Sequence, residues 1–353
     1  MQIIKSEVTQ VILQTKSPIR IAAFNEITTV AAFFVRIETK DRKIAWGCSV
    51  ADPALTGETP EHALRACQAC ADVVCDLNPV NLEFSLAQLK KVAGDSMAAH
   101  CAFDLAFYDL LGLISGMPLY RLLGGYRHQI QTSTTIPLAS IQDSVEMARS
   151  RARAGFRILK IKGGMDPDED VQRVKAVHRV LPNHRLWLDA DGHYKIQDAL
   201  DVTRALKDEL EMLEQPTPAG DLAALAEVTR HSSIPILADQ SVTDPSSALR
   251  LAAERIADGI CVKMATCGGF GCARQIDAIA QAARLDTLVS CVIEPALLAA
   301  AGLSFALSSP NVKYCDLDGY LDLHGDPSIP GFRLEEGCLI ASDVPGLGCQ
   351  VEF

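Results

Sequence analysis

Alternation between apolar and polar positions dominates the first fifty residues. Gln2–Leu13 and Thr29–Thr39 (TVAAFFVRIET) carry the β-branched and aromatic residues of strands, and Lys43–Val50 reads as a third. The period then lengthens to that of a helix over Glu61–Cys75 and again over Leu86–Leu111. The stretch Met97–Ile114 is dense in Ala, Leu and Phe, and Gly116-Met-Pro118 ends it. Strands followed by helices predict a compact α+β unit over residues 1–125.

From about residue 128 the rhythm becomes short strand, then helix, repeated. Strands are predicted at Thr132–Ile136, Arg157–Lys162, Arg185–Asp189, Leu210–Glu214, Pro235–Asp239, Gly259–Lys263, Thr287–Cys291 and Val312–Asp316. Helical stretches between them include Ile141–Ala154, Pro167–Leu181, Ile196–Glu209, Leu222–His231, Ser246–Ala257 and Gly271–Arg284. Eight strands alternating with helices at a pitch of about 25 residues are what a β/α barrel requires, here over residues 126–322. The Gly- and Pro-rich end, 323–353, is too short to fold alone and is expected to return to the first unit.

Composition narrows the classes. With 33 basic and 44 acidic residues the net charge is −11, against a sequence-independent grip on nucleic acid. Hydrophobic residues make up 48%, too many for a disordered chain. No apolar run approaches about 18 residues, so no bilayer span is expected, and the start of the chain lacks a signal peptide's pattern. Twelve cysteines are too few for a disulfide scaffold, and the only C-x-x-C, Cys67–Cys70, has no second pair to complete a zinc site. Reduced thiols in a cytoplasmic protein are the expectation.

The chemistry lies at the strand ends. Successive β runs finish in Lys162, Asp189, Glu214, Asp239 and Lys263, spaced 24–27 residues apart, and the eighth carries Asp316-Leu-Asp318. One βα unit separates each charge from the next, so all would ring the C-terminal mouth of the barrel, where active sites of this architecture sit. Alternation places Lys160 and Lys162 on the inner face. Three converging carboxylates, Asp189, Glu214 and Asp239, form the oxygen set that Mg²⁺ prefers. Lys162 and Lys263, four strands apart, would face each other across a substrate carbon and could exchange its proton on opposite faces. Lys160 beside Lys162, together with the metal, is expected to lower the pKa of the latter and favour its action as a base. The competing reading is a set of structural ion pairs.

In these residues the chain resembles the enolase superfamily, in its muconate-lactonising subgroup, and within that the dipeptide epimerases. The similarity is carried by Ala102–Gly112 (AFDLAFYDLLG), Pro118–Gly125, Lys160-Ile-Lys162, Asp189-Ala-Asp-Gly192, Glu214-Gln-Pro216, Ala238-Asp-Gln-Ser241, Lys263–Gly269, Asp316-Leu-Asp318 and Pro345–Gly348, in the family's order. It implies a modified (β/α)7β barrel with an α+β capping domain, and one Mg²⁺ per subunit held by Asp189, Glu214 and Asp239. Lys162 and Lys263 would be the acid/base pair and Lys160 an electrostatic assistant, consistent with the lysine or histidine base and Mg²⁺ of enolase-superfamily sites. Asp316 and Asp318 would hold the free ammonium of a dipeptide. Thr135 matches a substrate-contacting position, and Glu294, on the predicted seventh strand, an acidic position near the site. The implied reaction is inversion at the α-carbon of the C-terminal residue of an L,L-dipeptide, through an enediolate. N-acylamino acid racemisation or o-succinylbenzoate synthesis is the alternative, and a non-catalytic binding barrel a more distant one. Homo-oligomers are common in the subgroup.

Some positions depart from the family. Gln240 stands where Glu is usual, Asp191 replaces a usual Asn, and Cys48 follows Gly47 where Glu often does. Ser17–Thr28 resembles the loop that closes over the substrate. Phe24 occupies the place where enzymes acting on a C-terminal Glu carry Arg, so an acidic second residue is expected to be disfavoured.

Overall fold

The computed structural model describes the whole chain except Ala23, Asp52, Ala54 and Leu55 and the side chains of Phe24 and Asn25. Two long antiparallel strands, Ile3–Ile21 and Phe24–Thr39, form the edge and centre of a meander that Ile44–Ala51 completes. The central strand is apolar on both sides because both sides are covered. Phe33, Val35 and Ile37 pack with the helices Pro60–Val73, Leu82–Ala93 and Met97–Ser115, while Ala32 and Phe34 belong to the core shared with the barrel. The segment expected as a closing loop, Ser17–Thr28, continues these two strands as a hairpin instead. Register shifts between Gln14 and Ile21 bend it.

The predicted Leu86–Leu111 helix is two helices. Gly94, at φ +66°, ends the first, and the hydroxyl of Ser96 accepts the Ala99 N–H at 3.1 Å to start the second. That second helix, Met97–Ser115, is apolar and long enough to cross a membrane, contrary to the run-length expectation, but 72% of its most apolar window is buried inside the fold. It is apolar all round because Phe103 and Phe107 face the capping helices while Leu105 and Tyr108 face the barrel. Gly47 runs so close to it that a Cβ would strike the Ala102 carbonyl.

The barrel consists of eight parallel strands in sequential order: Ser133–Ile136, Ile158–Lys162, Arg185–Asp189, Leu210–Glu214, Ile236–Ala238, Gly259–Lys263, Asp286–Ser290 and Val312–Asp316. Seven longer helices cover it, including Ala296–Ser308, which the sequence reading left out. After the eighth strand comes only the 3₁₀ turn Gly319–Asp322, so the architecture is (β/α)7β. Side chains join the last strand to the first: Ser133 Oγ donates to Asp316 at 2.5 Å, the Thr135 N–H to Asp318 at 2.6 Å, and the Leu317 N–H to Thr132 Oγ1 at 2.9 Å. Inside, one layer below the charged strand ends, Ile158, Trp187, Met212, Leu237, Cys261, Leu288 and Tyr314 form a closed apolar floor.

The tail binds both halves. Leu323–His324 adds to the edge of the meander opposite Gln14 and Thr15, and Phe332–Glu335 pairs with Cys338–Ala341, which pairs with Gln129–Gln131. The ring of Phe353 meets that of Phe34 edge-on at 5.6 Å. Asp109 fastens this arrangement from within the long helix. Its carboxylate accepts the Trp46 N–H at 2.9 Å and the Leu347 N–H at 2.6 Å, and burial raises its pKa to about 6. Replacing it by Ala strands both donors, so Asp109→Ala is expected to cost about 2–4 kcal/mol in urea unfolding. A midpoint within experimental error of the parent would contradict that role.

Candidate active site

Period-2 alternation turns Lys162, Asp189, Glu214, Lys263 and Asp316, each the last residue of its strand, and the residue two before each into the same interior, with Asp239 just past the fifth strand. The upper of the two layers is charged. Lys160 Nζ lies 3.0 Å from Asp189 Oδ2, 2.9 Å from Glu214 Oε2 and 2.9 Å from Asp316 Oδ2, so one ammonium serves carboxylates of the third, fourth and eighth strands. Lys162 Nζ bonds to Asp189 Oδ2 at 2.8 Å and Asp191 Oδ1 at 2.9 Å. Across the barrel, Lys263 Nζ bonds to Asp239 Oδ1. All except Lys162 and Asp191 are at least nine-tenths buried as whole residues.

Burial and charge compete at each group. Burial alone would lower Lys162, and the ammonium of Lys160 adds to that, but Asp189 and Asp191 outweigh both and hold Lys162 above the ordinary lysine range. Lys160 acts on its neighbour in the expected direction, and the two carboxylates set the net shift. Lys263 is raised likewise, with Asp239 overcoming the effect of burial. Burial would raise Asp189, yet Lys160 and Lys162 pull it far below the usual carboxylate range. Glu214, wholly buried and beside Asp189, is pushed up to about 8. Although Lys160 is near, neither Glu214 oxygen receives a well-directed hydrogen bond. Buried acceptors without donors, sharing Lys160 with Asp189 and within 4.8 Å of an Asp239 oxygen, suit a hard divalent cation, and the residues fit Mg²⁺.

Above this layer lies a cavity of about 480 Å³. Lys160, Lys162, Asp239 and Lys263 form its base, and Ile19, Ile21 and Ile27 of the hairpin reach over it. Thr135, Asp316 and Asp318 line one side. Asp316 is already engaged by Ser133 Oγ, Ser290 Oγ at 2.9 Å and Lys160. Asp318 accepts the Thr135 N–H and, at 3.4 Å, its hydroxyl, and burial, then Asp316, raise it to about 7. Glu294 is not on the seventh strand: it lies four residues past Ser290, just before helix Ala296–Ser308. It does not line the cavity, and burial raises its pKa well above normal. The side chain of Phe24 lies outside the described residues.

Three supports have no role in the sequence reading. Gln215, at φ +38°, is wholly buried. It accepts the Asp239 N–H at 2.8 Å and donates to Thr217 O and Ser241 Oγ, so it fixes the end of the fifth strand from the fourth. Ser133 and Ser290 hold Asp316. Gln215 stands inside a quoted motif, which was a signal; the serines resemble any strand serine until the barrel closes.

Removing the shared cation tests this balance. Lys160→Ala leaves Asp189, Glu214 and Asp316 facing one another, and a loss of about 3–5 kcal/mol is expected. The thermal midpoint should recover in part on addition of Mg²⁺ to the variant. A variant as stable as the parent without the metal would contradict the role of Lys160.

Comparison with known proteins places this geometry. Residues 3–124 match the N-terminal domain of the mandelate racemase/muconate lactonizing enzyme family, and residues 143–352 the enolase C-terminal domain-like family. The hydrophobic dipeptide epimerase of Enterococcus faecalis is 32% identical over 92% of this chain and 93% of its own. The L-Lys-D/L-Arg epimerase of Methylococcus capsulatus is 33% identical over 94% of each. A crystal structure of the E. faecalis dipeptide epimerase with Mg and L-Leu-L-Tyr superposes with a TM-score of 0.96 at 31% identity, covering 99% of both chains. The chain belongs to the mandelate racemase/muconate lactonizing enzyme family, within the enolase superfamily.

Proposed function

We propose that the protein is a Mg²⁺-dependent dipeptide epimerase that inverts the α-carbon of the C-terminal residue. The carrying observation is that Lys162 and Lys263 approach one cavity from the second and sixth strands, with acidic Asp318 at its edge. The relatives named above are epimerases of dipeptides, which supports the reading. Asp189, Glu214 and Asp239 would hold the metal. When bound, Mg²⁺ supplies positive charge both for the carboxylates that now hold the lysines protonated and for the second negative charge of an enediolate.

The chain's own residues then divide the work. One lysine, as the free amine, takes the α-proton; the other, as the ammonium, returns a proton to the opposite face, and the reverse reaction exchanges their roles. Lys160, fixed by three carboxylates, adds positive charge beside Lys162. Asp318 accepts the substrate's α-ammonium, while Asp316, saturated by Ser133, Ser290 and Lys160, holds the eighth strand in place for it. This division distinguishes dipeptides from N-acylated substrates, which bring no ammonium. The reading also places the enzyme in the cytoplasm and includes self-association, by analogy with barrel enzymes of its subgroup.

The side chain of the second residue meets the hairpin. Ile19, Ile27, Val50 and Ile293 offer it apolar walls. Among the described lining residues, the only cation outside the lysine layer is Arg151, paired at 3.5 Å with Asp322 beyond the eighth strand. We therefore propose apolar second residues as preferred over acidic ones.

Incubation in D₂O with Mg²⁺ and a panel of L,L-dipeptides tests the reaction and this preference together. Deuterium should enter dipeptides such as L-Ala-L-Leu at least about tenfold faster than L-Ala-L-Glu, a difference worth about 1.4 kcal/mol. EDTA should abolish it. Absence of exchange on every dipeptide, with the metal bound, would overturn the function. In Lys162→Ala and Lys263→Ala, epimerisation should stop in both, yet each variant should still exchange the α-proton of one diastereomer, and not the same one. Loss of exchange from both diastereomers in both variants would count against two-sided proton transfer.

The pKa of Asp318 supplies a pH dependence. A carboxyl raised to about 7 is protonated below that pH and cannot pair with an ammonium. kcat/KM should fall as pH drops through about 7, mainly through KM, and Asp318→Asn should remove that limb of the profile while raising KM throughout. A limb that persists in Asp318→Asn would reassign it to another group.

A further inference from the structure

The metal-binding layer has one soft donor beneath it. Cys261 precedes Lys263 by two residues on the sixth strand, so its side chain enters the same interior, within the apolar floor. Its Sγ and one oxygen each from Glu214 and Asp239 all lie within 4.8 Å of one another. Independently, Glu214 is wholly buried and neither of its oxygens has a well-directed donor, so acceptor capacity opens toward this same gap. The other floor residues at this level are hydrocarbon, aromatic or thioether, and Cys261 is the only thiol among them.

We propose that Cys261, Glu214 and Asp239 form a second, thiophilic binding mode at the metal site, which takes a divalent cation of the zinc and cadmium class in competition with Mg²⁺. The inference rests on the functional reading in that Glu214 and Asp239 are shared with the Mg²⁺ site. Mg²⁺ takes oxygen ligands and gains nothing from sulfur. Thiolate selects zinc-class ions, and mixed oxygen and sulfur sites bind them more tightly than the earlier divalent metals. No electrons move. The ion forms bonds to Sγ and the two carboxylates, and the thiol proton passes to solvent. Binding draws Asp239 away from Lys263 and Glu214 away from Mg²⁺, so this mode inhibits.

Cadmium titration of the EDTA-treated, full-length protein tests it, followed through the ultraviolet sulfur-to-cadmium charge-transfer band. Wild type should show a component that saturates early and is displaced by excess Mg²⁺. That component should be missing in Cys261→Ser and Cys261→Ala, and Zn²⁺ affinity in a chelator competition should fall at least about tenfold. Eleven other thiols can bind cadmium, so the difference between variant and parent, and its reversal by Mg²⁺, are the diagnostic. Circular dichroism of both variants separates a lost ligand from a lost fold. Identical titrations in wild type and in a folded Cys261→Ser, or a band that Mg²⁺ does not displace, would overturn the proposal. Mg²⁺-supported deuterium exchange in wild type decides the functional reading separately, since the cadmium band needs no substrate.

Discussion

Three carboxylates from three strands cannot share a dry interior without a cation, and the side chain of Lys160 supplies one. Its ammonium touches Asp189, Glu214 and Asp316 at 2.9–3.0 Å above a floor that contributes no charge. In such surroundings an unpaired charge is costly, whereas a fully paired cluster is tolerated. Asp316 makes this cluster structural as well, because it also receives Ser133 from the first strand and Ser290 from the seventh. Where the backbone ladder between the last and first strands gives out, the closure of the barrel passes through these side chains. The group that would assist catalysis is thus also part of the seam.

Capping unit and barrel meet through the same device of a buried carboxylate accepting backbone donors. Asp104, on the long helix, takes the N–H groups of Phe270 at 2.6 Å and Gly271 at 3.3 Å, just past the sixth strand, and burial raises it to about 7. Gly269, at φ +103°, has no room for a Cβ beside this carboxylate, which explains the glycine pair after Lys263. On the opposite side, Lys16 Nζ donates to Leu321 O at 2.6 Å, and Gln14 and Thr15 pair with His324 and Leu323. The hairpin over the cavity is therefore rooted in the segment that follows Asp318. Under the proposed function, the hairpin above the substrate and the carboxylate proposed for its ammonium would share one mechanical root.

The barrel was legible because its code is local. Period-2 alternation sets which residues face inward, and one βα unit sets the distance between strand ends, so Lys162, Asp189, Glu214, Asp239 and Lys263 declared themselves by spacing alone. What the sequence hid depends on partners distant in the chain. Ala296–Ser308 is apolar on every side because it is buried on every side, and it shows no helical stripe to read. The hairpin Ser17–Thr28 lacks clean alternation because its register shifts along its length. Glu294 lies past Ser290, where the seventh strand ends, and nothing in the run 291–295 marks that boundary in the sequence. The raised pKa of Lys162 comes first from Asp189 and then from Asp191, whose reach back from the third strand spacing alone does not show.

The two departures at Asp191 and Gln240 take on meaning once they are seen together. Gln240 Nε2 lies 3.4 Å from Asp191 Oδ1, the same oxygen that Lys162 holds. Against the pattern that the resemblance implies, with Glu at 240 and Asn at 191, the negative charge that position 240 lacks is carried by Asp191, one contact away. That charge sits against Lys162. Lys162 consequently has two carboxylate partners and Lys263 one. The two lysines proposed as acid and base are chemically unequal before any substrate arrives, and that inequality is a property of this chain's own residues. A barrel that places its charges by strand spacing can shift one of them between the ends of the third and fifth strands without disturbing the packing below, since the apolar floor carries the fold.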